Sequence, residues 1–100
     1  MAASTLKSVN FEVFGKVQGV FFRKHTESQA KKLGLSGWVK NTATGTVVGV
    51  IEGPDDKVAI MKKWLQETGS PKSHILKCVF KDEKRISSKS FPGFSVVREK

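Results

Sequence analysis

Two helices packed on one face of an antiparallel sheet, an α+β plan, is the fold class the sequence predicts. Three observations lead there. Segments that alternate apolar and polar residues flank segments with helical spacing, in the order β-α-β-β-α-β with one short strand added. Each helical segment has a single apolar stripe, so each can cover the sheet from one side only. Valine supplies 12 of the 100 residues, and β-branched side chains favour sheet. The order is that of the ferredoxin-like split βαβ.

The first strand is read from "LKSVNFEVFG", where Val9, Phe11 and Val13 alternate with Asn10 and Glu12 and Gly15 marks the end. Phe22, Thr26, Ala30 and Leu33 then follow helical spacing, with Lys31 and Lys32 in the last turn and Gly34 as the stop. "LSGWVKN" and "TVVGVIEG" form a hairpin around the turn-rich "NTATGT". In "GPDDKVAIMKKWLQETG", Pro54 suits the first helical position and Asp55 and Asp56 complement the dipole. Val58, Met61 and Leu65 are its buried stripe, with Thr68 behind them and Gly69 at the end. "SHILKCVF" alternates, with Leu76, Cys78 and Phe80 on one face, and the charged "KDEKRISSKS" reads as a solvated loop. "FPGFSVVRE" gives the short last strand, Pro92 at its start.

The chain reads as one domain spanning 1–100, with 1–5 a loose tail, and the 28 Leu, Ile, Val and Phe residues suffice for a core. The single cysteine, Cys78, allows no internal disulfide and fits a reducing compartment. No apolar run reaches the ~20 residues of a membrane span, and "MAASTLKSVN" lacks a signal-peptide core. A cytoplasmic protein with no membrane partner is expected. The formal charge of +9 favours anionic partners without choosing among small phosphates, nucleic acid and membrane surfaces.

"GKVQGVFFR", Gly15 to Arg23, joins the first strand to the first helix. Glycines let such a joint curl until its free N–H groups converge, and convergent N–H groups at a helix N-terminus bind phosphate. Arg23 falls in the first turn, where a cation opposes the dipole by ~0.3–1 kcal/mol unless an anion sits beside it. On spacing alone the signal is weak, and an ordinary tight turn with a solvated arginine is the favoured reading. It is neither a Walker loop nor a dinucleotide fingerprint.

Elsewhere there is no HExxH, no CxxC and no Cys, His or acidic cluster with metal-ligand spacing. No serine sits in a nucleophile motif. His25 and His74 are far apart, and a core-edge residue and a loop residue account for them. Catalysis by such a chain must proceed without metal or an evident nucleophile. A phosphoryl bond to a carboxylic acid suits that, because a carboxylate of pKa ~4–5 leaves unprotonated.

"VFGKVQGVFFR", "GWVKNTATGTV", "GPDDKVAIMKKWL" and "GSPKSHI" together resemble the signature stretches of the acylphosphatase family, over about Leu6 to Val97. The resemblance implies hydrolysis of acyl phosphates to a carboxylate and inorganic phosphate, with no cofactor and no metal. By motif position it implies a cradle from Lys16, Val17, Gln18, Gly19 and Val20, a phosphate clamp in Arg23 and a water-orienting amide in Asn41. Inorganic phosphate is then product and competitive inhibitor, and the enzyme is expected as a monomer. Thr42 and Thr46 are expected to orient the hairpin, Trp38 and Phe22 to pack, and Lys16 and Lys24 to raise the potential.

The rival is an RNA-recognition module on the same strand order, suited by the charge. It needs stacking aromatics on two central strands; the first offers Phe11 and Phe14 and the third offers none. Nucleic acid is therefore not expected as the partner. A third possibility, a domain that has kept the fold without activity, runs against the intact Arg23 and Asn41.

Overall fold

A computed structural model describes residues 5–19 and 21–97. Val20 of the expected cradle, most of the expected N-terminal tail and the last three residues lie outside the described residues. The elements are β1 (Leu6–Lys16), α1 (Phe22–Lys32), β2 (Ser36–Asn41), β3 (Val47–Pro54), α2 (Asp55–Glu67), β4 (His74–Ile86) and β5 (Phe94–Val96). They build one five-stranded sheet in the order β4-β1-β3-β2-β5.

The alternation of β1 works as expected. Val9, Phe11 and Val13 are buried, while Asn10 and Glu12 face the other side. Val9 opposes Ile51 and Val13 opposes Val47, so these four share the face that the helices cover. The helices bring Phe22, Thr26 and Ala30, and Val58, Met61 and Leu65. The buried Thr26 hydroxyl is satisfied by donating to Phe22 O at 2.7 Å.

The structure corrects four local expectations. First, the sheet is mixed: β5 runs parallel to β2. β4 ends at the end of the sheet where β2 begins, so a chain crossing there can only re-enter in the direction of β2. Buried Glu52 anchors the crossing by accepting the Ser90 N–H at 2.7 Å, and Gly37 N–H donates to Gly93 O at 3.0 Å. Second, the charged stretch is not wholly loop. β4 continues to Ile86 because the eleven-residue β1 still offers Leu6, Lys7 and Ser8 as partners. The charges suit a strand with an open edge.

Third, Leu76 is not on the core face with Cys78 and Phe80. A register shift between Phe14 and Gly15 leaves Leu76 without a partner in the ladder, and it swings out to 76% exposure while Ile75 packs inward. Gly15 permits the shift: its φ is +127°, and a Cβ there would lie 2.1 Å from His74 O. Fourth, Pro54 (φ −56°, ψ 139°) caps α2 rather than opening it, and Thr68 at the far end is exposed. No helix among the described residues is long and apolar enough to cross a membrane.

Candidate active site

β1, β2 and α1 bring their chemistry to one end of the sheet. Lys16 is the last residue of β1, opposite His74 in the ladder. Val17 turns into the core. Gly19 (φ +73°) and Phe21 (φ +59°) both take left-handed backbone, which curls the connection into the start of α1. Among the described residues no side chain caps α1, and no acidic residue lies in its first turn. Its first amides thus have no capping side chain there, and an anion is their natural partner.

Arg23, half-buried in that first turn, makes no salt bridge among the described residues. Glu27, one turn on, pairs instead with Lys31 at 3.3 Å. Val17, Gly19, Phe21, Phe22, Arg23, Lys24, Glu27, Ser95 and Val96 line a cleft of about 720 Å³ over this corner.

Asn41 ends β2 opposite Val47, which opposes Val13. Its side chain therefore belongs to the helix-covered face. Its Oδ1 is buried and has no hydrogen-bond partner among the described residues. A buried orphan acceptor costs about 1–3 kcal/mol and marks a place where a ligand or water belongs.

Gln18 ties the loop to the hairpin. Its Nε2 donates to Thr42 O at 2.9 Å and Thr46 O at 2.8 Å. The hairpin is braced in turn. Thr46 Oγ1 donates to Glu12 Oε2 at 2.7 Å, so the 2.7 Å contact between the two threonine hydroxyls takes its proton from Thr42. Thr46 N–H donates to Thr42 Oγ1 at 3.1 Å and Thr42 N–H to Thr46 O at 2.9 Å.

Of the residues expected at the site, Val17, Gly19, Arg23 and Lys24 line the cleft. Asn41 and Gln18 are not among its lining residues, and Gln18 is turned to the hairpin. Lys16 lines a neighbouring groove with Phe14, Thr44, Thr46, His74 and Leu76. Trp38 packs away from the site, on the opposite sheet face in register with Val50, below the Lys40 ammonium (5.7 Å). Phe22 packs in the core against Trp64, ring centres 5.8 Å apart.

Sequence reasoning missed Phe21, Ser95 and Val96 at the cleft and Glu12 as the brace. The alternation in β1 marked Glu12 only as solvent-facing, and nothing in the sequence pairs it with Thr46. Among the described residues no three His, Cys, Asp or Glu side chains converge.

A model of the acylphosphatase family matches residues 9–96. The chain belongs to the acylphosphatase family. It is 57% identical to acylphosphatase-2 of Gallus gallus over 94 residues, covering 94% of this chain and 91% of that one. It is 56% identical to acylphosphatase-1 of Homo sapiens over 95 residues, covering 95% and 96%. The crystal structure of acylphosphatase from Bacillus subtilis superposes with a TM-score of 0.84 at 34% identity, covering 92% of this chain and 99% of that one. This acylphosphatase is thus an enzyme that hydrolyses acyl phosphates, which are small molecules.

Proposed function

We propose that hydrolysis proceeds without a metal, on the curled loop, Arg23 and Asn41. The phosphoryl group accepts hydrogen bonds from the amides of the loop and the first turn of α1. The Arg23 guanidinium takes two of its oxygens, and the bound dianion offsets the repulsion between this cation and the positive end of the helix dipole. Asn41 Oδ1 accepts a hydrogen bond from a water and aims its lone pair at phosphorus, in line with the departing oxygen.

An amide is no base near neutral pH, so the water's proton passes to a phosphoryl oxygen. The P–O bond to the acyl group breaks with its electrons on the carboxylate, which needs no proton. The dianionic acyl phosphate and water become a carboxylate and dihydrogen phosphate, and charge balances. Positioning and electrostatics carry the rate.

The orphaned Asn41 Oδ1, held at the same end as an uncapped helix start and an ion-pair-free arginine, is the observation that supports this reading. The RNA-binding alternative is disfavoured because Phe11 is buried beneath the helices, which leaves Phe14 as the aromatic of β1 on the open face. We read the enzyme as a cytoplasmic monomer, consistent with its single free thiol.

Benzoyl phosphate turnover tests the mechanism. EDTA should leave it unchanged, and inorganic phosphate should inhibit competitively. Arg23→Gln should weaken phosphate affinity and rate together. Asn41→Ala should lower kcat by about 10²–10³-fold, as for loss of one preorganised polar group, with phosphate binding retained. Loss of activity in EDTA, or full activity in Asn41→Ala, overturns it.

A further inference from the structure

Phe21 is a residue of the cleft whose identity neither folding nor phosphate binding explains. It is the N-cap of α1, with left-handed backbone (φ 59°, ψ 25°), and its side chain is 73% exposed. Left-handed backbone penalises any residue with a Cβ, a bulky one most. Glycine would relieve that strain, and so little of the ring is buried that glycine would give up little packing. A strained, solvent-facing aromatic is best accounted for by what it touches when the cleft is full.

The cleft lining mixes charged and apolar side chains. Arg23, Lys24 and Glu27 are its charged members, while Phe21 shares the lining with Val17 and Val96. A substrate held by its phosphoryl group must direct its acyl chain outward, because Val17 and Phe22 close the inner wall in the core. Phe21, an exposed apolar side chain of that lining, is available to such a group.

Building on the function proposed above, we propose that Phe21 is the acyl-group contact and sets a preference for acyl phosphates with aromatic or extended apolar acyl groups over small ones. A benzoyl group can stack against the exposed ring; an acetyl group is too short to cover it. Aromatic pairs contribute about 0.5–1.5 kcal/mol beyond area burial, which is a discrimination of about 2- to 12-fold.

The test compares benzoyl and acetyl phosphate in the wild type, Phe21→Ala and Phe21→Tyr. The kcat/KM ratio, benzoyl over acetyl, should fall by about 2- to 12-fold in Phe21→Ala and be restored in Phe21→Tyr. A merely structural role would lower both substrates and phosphate affinity in proportion and leave the ratio unmoved, which overturns the proposal. Calorimetric binding of benzoylphosphonate and acetylphosphonate to Asn41→Ala reads the same ratio without turnover. If Asn41 proves dispensable, the mechanism fails while this binding ratio still decides the role of Phe21; equal loss of both analogues in Asn41→Ala/Phe21→Ala refutes the acyl contact alone.

Discussion

Replacing Gln18 by glutamate keeps the shape of the side chain and reverses what it can do. In the native protein Nε2 bridges Thr42 O and Thr46 O at 2.9 and 2.8 Å. Each neutral hydrogen bond contributes about 0.5–1.5 kcal/mol net. Both carbonyls keep other donors, Thr42 N–H on Thr46 O and Gly45 N–H on Thr42 O. Truncation therefore removes two net bonds without stranding an acceptor. Gln18→Ala should lose about 1–3 kcal/mol, and each kcal/mol lowers Tm by about 4–8 °C in a chain of this size. Gln18→Glu should lose more, because it sets a carboxylate against two carbonyl oxygens beside a site built for a dianion. The kinetic effect should exceed the thermal one: a loop freed from the hairpin loosens Arg23 and Asn41 relative to each other, and misplacement by about 1 Å can cost ~10²-fold in rate. Guanidinium melts, kcat with benzoyl phosphate and the inhibition constant of inorganic phosphate measure the three consequences. Wild-type kcat and phosphate inhibition in Gln18→Glu would mean that loop and hairpin do not act through this bridge.

Two further outcomes follow from β4 and its neighbour. Gly15→Ala forces a Cβ to 2.1 Å from His74 O at φ +127°, so the strands must part. A loss of at least about 2 kcal/mol in a denaturant melt is expected, and one below 0.5 kcal/mol contradicts the geometry. Burial pushes the Cys78 thiol up from 9.0 to about 12. The folded state thus favours the neutral thiol: this contribution to stability is whole below pH 9 and is lost as pH rises toward 12. At pH 8 the native thiolate population is about 10³-fold below that of the unfolded chain, and alkylation by iodoacetamide should slow accordingly. Equal rates in native and urea-unfolded protein would contradict that burial.

The pattern of the sequence carried the helices and the inner strands almost residue by residue, because each has one buried face and a glycine or a hairpin to end it. It failed on β4 for a physical reason. An edge strand exposes charges along both its free side and its outer face, so Lys81–Arg85 has a loop's composition although β1 pairs with most of it. The slip at Leu76 was hidden too, because a bulge is set by the partner strand rather than by local spacing. At the site, the glycines and Arg23 pointed to the corner that we propose binds the anion. Glu12 and Phe21 did not announce themselves, since one acts through a hydroxyl 34 residues away and the other through its exposure.

Those two kinds of residue bear on one physical problem. A site for a dianion must gather positive potential before the dianion arrives. Here that means an arginine in the first turn of an uncapped helix and two left-handed residues in the connection leading into it. Each destabilises the empty protein: the cation by ~0.3–1 kcal/mol and Phe21 by roughly 1–2 kcal/mol. Left alone, the connection would relax and scatter its amides. Three things prevent that. Val17 is buried in the core, Gln18 is bonded to the hairpin, and Glu12 and Thr46 hold the hairpin to β1. On the mechanism proposed above, binding of phosphate then relieves the repulsion between Arg23 and the helix start with little reorganisation, which would let amides, a guanidinium and a carboxamide meet the demands of phosphoryl transfer.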